Sequence, residues 1–65
     1  MNNKYEYLET LLSKIEMTQY MDLFIKNDLI EEDVIKQLSE NDLEKIGITS
    51  LGNRKKILGV ISKPI

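Results

Sequence analysis

The sequence predicts an all-α fold of four or five short helices in one domain. Apolar residues recur at the i, i+3, i+4 spacing of a helix surface over most of the chain. No stretch alternates apolar and polar residues as a surface strand does. Residues that cap helices or favour turns divide the 65 residues into short segments. A chain of this length supports one small core, so we expect a single domain over residues 1–65 with its core at about 5–62.

The first helix is predicted over residues 4–14, because its apolar residues form one stripe at helical spacing. The stripe consists of Tyr5, Leu8, Leu11, Leu12 and Ile15. Asn3, with Glu6 three residues later, resembles an N-terminal cap. Thr18 is predicted to cap a second helix, which ends at residues 27–28 because Asn and Asp favour turns.

A third helix is predicted at about 31–37, since residues 31–33 place three carboxylates where free amides and the peptide dipole are positive. Ser39 followed by Asp42 has the spacing of a capping box and predicts the start of a fourth helix. Gly47 suits the left-handed position that closes such a helix.

The last helix is predicted from Leu51 to about Ser62, with Ser50 as its cap and Lys63-Pro64 as its stop. It is the longest of the predicted helices. One of its sides is expected to consist of Arg54, Ile57, Leu58 and Ile61. The residues predicted to form the core of the whole domain are Leu12, Ile15, Tyr20, Phe24, Leu38, Leu43, Ile46, Ile57, Leu58 and Ile61.

The composition argues against catalysis. The chain has no Cys and no His, so it lacks a thiolate nucleophile, the commonest general base and the commonest zinc ligands. Neither a calcium-binding loop nor a phosphate-binding loop is present in the sequence. We interpret the carboxylates as solvated or interface charges. We therefore expect no enzyme activity, no catalytic residue, no metal site, and no cofactor or small-molecule ligand.

The net charge of −2 hides a separation of charge along the chain. Residues 1–27 carry −1, residues 28–44 carry −6, and residues 45–65 carry +5 without any acidic residue. The middle block consists of Asp28, Glu31, Glu32, Asp33, Glu40, Asp42 and Glu44 against Lys36. The last block consists of Lys45, Arg54, Lys55, Lys56 and Lys63. Two opposed blocks on one molecule favour salt-sensitive association between copies.

No segment of the sequence has the character of a membrane anchor or a signal peptide. The longest apolar run, residues 57–61, is far too short to span a bilayer, and the first residues are polar. Together with the absence of Cys, these features predict a cytoplasmic module that does not bind membranes.

Three segments resemble signatures of the sterile alpha motif (SAM) domain family. Residues 11–20, LLSKIEMTQY, resemble an aromatic-Leu pair followed by Ile-Gly-Leu and Gln-Tyr, and Phe24 stands where the family keeps a buried Phe. Residues 38–48, LSENDLEKIGI, resemble the family segment L-T-E-x-D-L-x-x-L-G-I. Residues 51–58, LGNRKKIL, resemble L-G-x-R-x-K-I-L. The three segments stand in the family's order, and the resemblance covers about residues 5–62.

The sequence departs from the family pattern at three positions. Leu11 replaces the usual Trp, and Glu16 replaces the usual Gly, so these changes concern core packing and a turn. Asn53 replaces a frequent His. We expect Asn53 on the outer face of the last helix, where it would alter the choice of partner.

The resemblance implies a compact five-helix bundle with a longer C-terminal helix, whose activity is protein–protein association. Many members join head to tail, with the start of the last helix against the middle of the next copy. Carried over to this sequence, the end-helix surface consists of Gly47, Thr49, Leu51, Gly52, Asn53, Arg54 and Lys55. The mid-domain surface consists of Asp28, Glu31, Glu32, Asp33, Asp42 and Glu44. We expect Arg54 and Lys55 to contact the partner, Lys56 to be solvated, and the homo-oligomer or polymer to cluster a larger signalling protein.

Two alternative functions stay open on the sequence alone. The same surfaces would serve association with another SAM domain. Some family members bind RNA hairpins through the basic start of the last helix, which here would offer Arg54, Lys55, Lys56 and Lys14 to phosphates. The net acidic chain argues against a nucleic-acid partner.

The sequence also leaves the roles of two residues in the last helix open. Leu51 is either an interface anchor or a residue that packs the entry of the helix. Gly52 either permits the close approach of a partner or is a small residue tolerated in a first turn.

Overall fold

The computed structural model of the chain describes residues 3–63. Within this range the backbone forms five α-helices and one 3-10 helix and contains no strand, so the predicted all-α, five-helix fold is confirmed. The elements are α1 (Glu6–Lys14), the 3-10 helix (Thr18–Tyr20), α2 (Met21–Lys26), α3 (Glu32–Ile35), α4 (Glu40–Lys45) and α5 (Leu51–Ile61). The last helix is the longest, as predicted.

The first helix begins at Glu6, later than predicted, because Asn3 forms a turn before it. Asn3 Oδ1 accepts a hydrogen bond from Tyr5 N at 3.0 Å, and Glu6 N donates to Asn3 O at 3.0 Å. No side chain in the described part of the chain caps α1. The predicted helix cap by Asn3 is therefore wrong, since this side chain orders the turn and not the first helical amides.

The predicted second helix consists of the 3-10 helix followed directly by α2. Thr18 is the first residue of the 3-10 helix, and no side chain caps either element, so the predicted cap by Thr18 is wrong. The predicted end at residues 27–28 is confirmed. Asn27 Nδ2 donates to Leu23 O at 2.7 Å, and Asp28 has a φ of 59°.

The later helices follow their predicted caps. Ser39 Oγ accepts from Asp42 N at 3.2 Å and Asp42 Oδ2 accepts from Ser39 N at 3.0 Å, which completes the capping box of α4. Ser50 Oγ accepts from Asn53 N at 3.2 Å at the start of α5. The third helix is shorter than the predicted 31–37. The predicted stop of α5 at Pro64 lies outside the described residues.

Three helices end in the same backbone motif. The second residue after each helix has a positive φ: Glu16 at 57° after α1, Asp28 at 59° after α2, and Gly47 at 113° after α4. The next amide then donates to a carbonyl five residues back: Met17 N to Leu12 O, Leu29 N to Phe24 O, and Ile48 N to Leu43 O, at 2.8–3.1 Å. This is the Schellman motif, which turns the residue after the stop back against the helix. It explains why Met17 and Ile48 are buried although neither lies in a helix.

The core is one cluster to which all five α-helices contribute. Its buried apolar residues are Leu8, Leu11, Leu12, Met17, Phe24, Ile35, Leu43, Ile48, Ile57 and Ile61. The predicted core residues Leu12, Phe24, Leu43, Ile57 and Ile61 belong to this set. The other predicted core residues, Ile15, Tyr20, Leu38, Ile46 and Leu58, are partly buried and pack against it. Leu11, at the position of the expected Trp, is fully buried.

We expect replacement of Glu16 by Gly to stabilise the fold. The left-handed conformation costs a residue with a side chain about 1–2 kcal/mol, whereas Gly adopts it freely but loses more chain entropy on folding. The free energy of unfolding of Glu16→Gly should therefore rise by about 0.5–1 kcal/mol in urea denaturation. Glu16→Ala is the matched control, because it removes the carboxylate and keeps the strained backbone. Equal stabilisation by Ala and Gly would contradict the backbone explanation.

Candidate interaction surfaces

The start of α5 presents an apolar residue to solvent. Leu51 is 51% exposed and is the one large hydrophobic residue classed as exposed among residues 3–63. Gly52 beside it is exposed, and a side chain there would meet only Ser50 Oγ, at 4.0 Å. Lys55 lies one turn after Leu51 on the same face and is also exposed. A partner can therefore reach the apolar tip, the helix backbone and one ammonium group together.

Arg54 does not belong to this exposed surface, contrary to the sequence prediction. Arg54 is 8% exposed, and its Nη1 donates to Ile48 O at 2.7 Å. Its Nε lies 3.5 Å from Glu40 Oε2, at ion-pair distance without the geometry of a hydrogen bond. Arg54 therefore connects α5, the loop before it and α4, and is not available to a partner or to an RNA phosphate.

Asn53 is more buried than the sequence predicted. Its Nδ2 donates to Tyr20 Oη at 2.6 Å, and both residues are half-buried. The expectation that Asn53 lies on the outer face of α5 is therefore wrong in part. Its contact joins α5 to the 3-10 helix, while Gly47 and Thr49 in the preceding loop are exposed as expected.

A shallow groove of about 530 Å³ lies between the end of α2, the α3 segment and α4. Its lining residues are Asn27, Leu29, Val34, Gln37, Leu38, Asp42, Lys45 and Ile46. The four aliphatic residues are partly buried, so the groove offers apolar surface that is not fully covered. We call it the mid-domain groove.

The predicted acidic residues do not form one continuous surface. Asp42 lines the mid-domain groove, and Asp28 is the chain neighbour of two lining residues. Asp33 lies one turn before the lining residue Gln37, whose Nε2 donates to Asp33 O at 2.9 Å. Glu31 is exposed and directly precedes α3. These residues place carboxylates in the groove or around it.

Glu32 and Glu44 lie on the other sides of their helices. Glu32 is two residues from the lining residue Val34, and Glu44 is two residues from Asp42, so each points about 160° away from the groove. Glu32 Oε2 lies 3.4 Å from Lys36 Nζ, and both side chains are substantially exposed. The predicted mid-domain surface therefore divides into a groove side and a Glu32 side.

Tyr7 of α1 lies close enough to Glu32 and Lys36 to be affected by their charges. Burial raises the pKa of the Tyr7 hydroxyl, while the charge of Lys36 lowers it and that of Glu32 raises it. The hydroxyl is buried and has no hydrogen-bond partner among residues 3–63. The Glu32–Lys36 pair therefore lies within electrostatic reach of α1, away from the mid-domain groove.

Asp42 is ionised more readily than an ordinary carboxyl. The backbone amide of Ser39 donates to the Asp42 carboxylate at 3.0 Å, and this hydrogen bond lowers the pKa of Asp42, with further lowering by the nearby Ser39 hydroxyl and the charge of Lys45. The residue therefore carries its negative charge into the groove at neutral pH while it caps α4.

A second groove, of about 550 Å³, lies between the end of α1, the 3-10 helix and α5. Its lining residues are Lys14, Ile15, Glu16, Met17, Gln19, Asn53 and Lys56. Lys56, predicted to be merely solvated, therefore shares a surface with Lys14, and one carboxylate, Glu16, lies in the same groove. We call it the Lys14–Lys56 groove.

The apolar part of the mid-domain groove was not predicted from the sequence. Leu38 and Ile46 were predicted to be core residues, and the hydrophobic spacing could not tell a buried face from a groove wall. Leu29, an apolar residue between a turn and the acidic segment 31–33, was the one feature of the sequence that could have indicated apolar surface there.

None of the helices within residues 3–63 has the length and hydropathy that crossing a bilayer requires.

The comparison with known proteins agrees with the motifs. The sequence matches the SAM domain (sterile alpha motif) family over residues 1–63. It is similar to ephrin type-B receptor 5 of Gallus gallus, with 39% identity over 61 residues, or 94% of this chain and 6% of the receptor. It is also similar to serine/threonine-protein kinase STE11 of Saccharomyces cerevisiae, with 38% identity over 56 residues, or 86% of this chain and 8% of the kinase.

A third similar protein is Caskin-1 of Rattus norvegicus. It is 36% identical over 56 residues, which are 86% of this chain and 4% of that protein. The chain therefore spans less than a tenth of the length of these three relatives. No solved structure matches the chain significantly.

We expect Arg54 and its neighbour Lys55 to differ sharply in their effect on stability. Arg54→Met keeps the aliphatic stem but leaves the Ile48 carbonyl without its donor, which should cost about 2–3 kcal/mol of unfolding free energy in urea. Lys55→Met removes an exposed charge and should change stability by less than about 0.5 kcal/mol. A stable Arg54→Met variant would contradict the structural role of this residue.

Proposed function

The chain belongs to the sterile alpha motif domain family, a family of protein–protein interaction modules, and we propose that this member joins its own copies head to tail. The observation that carries the proposal is the exposed Leu51, set against a partly apolar groove elsewhere on the same molecule. A protruding apolar residue and a groove of matching chemistry favour a contact between two different surfaces.

The end-helix side of this contact comprises Leu51, Gly52 and Lys55. Burying a half-exposed Leu side chain contributes on the order of 1 kcal/mol, and the absence of a side chain at Gly52 lets a partner approach the helix start. Lys55 stands one turn further along and adds a positive charge at the rim of the contact. Arg54 supports this surface from inside through Ile48 and takes no direct part.

The mid-domain side of the contact is the groove walled by Leu29, Val34, Leu38 and Ile46. Asp42 is charged within the groove, and Asp28 and Asp33 stand near it. These carboxylates complement Lys55 of the neighbouring copy. Lys45 also lines the groove and limits its negative charge, so the apolar contact has to supply much of the affinity.

A contact between two different surfaces leaves one free surface of each kind on every dimer. Repetition of the contact builds a filament if the rotation does not close and a ring if it does. The domain would then act by bringing together copies of the longer protein that carries it. In this account the domain contributes association and no chemistry of its own.

Sedimentation velocity at low salt tests this proposal with one variant for each surface. Leu51→Glu should block the end-helix surface, and Val34→Lys should block the groove, so each alone should weaken self-association by about tenfold or more. An equimolar mixture should form a 1:1 heterodimer, because each variant keeps one intact surface. Raising the ionic strength should weaken association of the wild type.

Thr10→Glu serves as the control, since it introduces a charge at an exposed position of α1 outside both surfaces. Circular dichroism should show that all variants remain folded. A wild type that stays monomeric at high protein concentration and low salt would overturn the proposal. In that case, binding of another SAM domain through the same surfaces would support the hetero-association alternative.

A further inference from the structure

One basic side chain, Lys45, lies in the mid-domain groove that the proposed contact uses. Among the lining residues of this groove, Lys45 carries the positive charge and Asp42 the negative charge, so the lining as a whole is neutral. Both residues belong to α4 and are three positions apart, which places them on the same side of the helix. The groove itself is therefore less acidic than the charge of −6 over residues 28–44 indicates.

The two charges in the groove differ in how far they are already compensated. Asp42 Oδ2 accepts a hydrogen bond from Ser39 N at 3.0 Å, which holds this carboxylate at the start of α4. Lys45 is exposed and forms no ion pair within residues 3–63. Its charge acts on Asp42 without direct contact and helps to lower the pKa of that carboxyl. The ammonium group is therefore the freer charge of the two.

The position of Lys45 is fixed by the backbone and not by its own side chain. Lys45 lies in the last turn of α4, where the amides of Gly47 and Ile48 donate to carbonyls of the helix at 3.1 Å. Ile48 is fully buried, which holds this end of the helix against the core. A substitution at position 45 should therefore change the charge of the groove and leave its walls in place.

The surface that meets this groove in the proposed contact is positive. Lys55 stands four residues after Leu51, about 6 Å along the helix axis and on the same face of α5. Leu51 in the groove would bring Lys55 to within roughly 10–15 Å of Lys45, in whichever direction the neighbouring helix runs. This separation is shorter than the electrostatic screening length of about 30 Å at 10 mM salt. The two ammonium groups therefore repel each other at low salt for any orientation of the two copies.

We propose that Lys45 restrains the head-to-tail contact and reduces the preference of the groove for a cationic partner surface. Asp42 in the groove and Asp28 and Asp33 beside it attract Lys55 of the next copy, whereas Lys45 repels it. The inference rests on the proposed self-association and deepens it, because it names the residue that sets how selectively the groove binds.

The consequence for specificity follows from these opposed charges. A partner surface with a neutral residue in place of Lys55 loses the attraction to the carboxylates but also escapes the repulsion from Lys45, so the groove discriminates weakly between the two surfaces. Removal of the charge at position 45 should therefore strengthen self-association and increase the preference for Lys55 over a neutral residue.

Sedimentation equilibrium at about 10 mM salt tests this inference with a graded series at position 45. Lys45→Arg keeps the charge and should leave the dissociation constant for self-association within about twofold of the wild type. Lys45→Gln should lower the dissociation constant by about twofold to fivefold, and Lys45→Glu by about fivefold to tenfold. These differences should shrink at high ionic strength, because they arise from exposed charges.

Lys55→Met shows whether Lys45 acts on the cation of the partner. In the Lys55→Met background, Lys45→Gln should give a smaller gain than in the wild type, because the repelled charge is gone. Lys14→Gln is the matched control, since it removes an exposed charge from the last turn of α1, outside the mid-domain groove, and should leave the dissociation constant unchanged. Circular dichroism should show that all variants remain folded.

Equal tightening by Lys45→Arg and Lys45→Gln, a dissociation constant that Lys45→Glu does not lower, or an equal gain in the Lys55→Met background would each overturn the role of Lys45. If Leu51→Glu and Val34→Lys still block assembly in that case, the proposed function stands without it. A monomeric wild type would overturn both.

Discussion

The corner between α4 and α5 is the constraint on which both proposed contact surfaces depend. Gly47 stops α4, Ile48 turns back into the core, and the Ile48 carbonyl accepts a hydrogen bond from Arg54 at 2.7 Å. Glu40 at the start of α4 lies 3.5 Å from the same guanidinium. The corner therefore joins the helix that carries Leu51 to the helix that carries Asp42. The buried Arg54 stabilises this corner, and the corner in turn fixes the positions of the exposed Leu51 and Lys55.

The starts of the last two helices could be predicted from local rules because their N-terminal caps follow those rules closely. Ser39 with Asp42 and Ser50 with Asn53 bond as their spacing indicates. The burial of Met17 and Ile48 could not be predicted from helical periodicity, since both residues lie beyond a helix end. Their positions follow from the backbone motif that begins at Glu16 and Gly47. The left-handed conformation was predicted at Gly47, and at Glu16 the replacement of a usual Gly indicated a turn without showing which residue it would bury.

The sequence predicted which segments carry the charges of the candidate surfaces, but it did not predict where their side chains lie in the fold. A count of charges treats Arg54 and Lys55 alike, whereas the helix turns one inwards and the other outwards. It also treats residues 28–44 as one block, whereas the helix period places Glu32 and Glu44 on different sides from Asp33 and Asp42. The partly exposed aliphatic walls of the groove depend on how α2, α3 and α4 meet. That arrangement depends on the packing of several helices, so the sequence of no single segment indicates it.

The proposed head-to-tail contact involves two different surfaces of the same molecule, and a dilution series of amide NMR spectra can detect both. We expect two separate sets of amides to shift with protein concentration along one binding curve. One set should lie at residues 51–55, and the other at residues 29–46 around the mid-domain groove. Shifts confined to one set would indicate a symmetric contact and would overturn the head-to-tail arrangement, as would a spectrum that does not change with concentration.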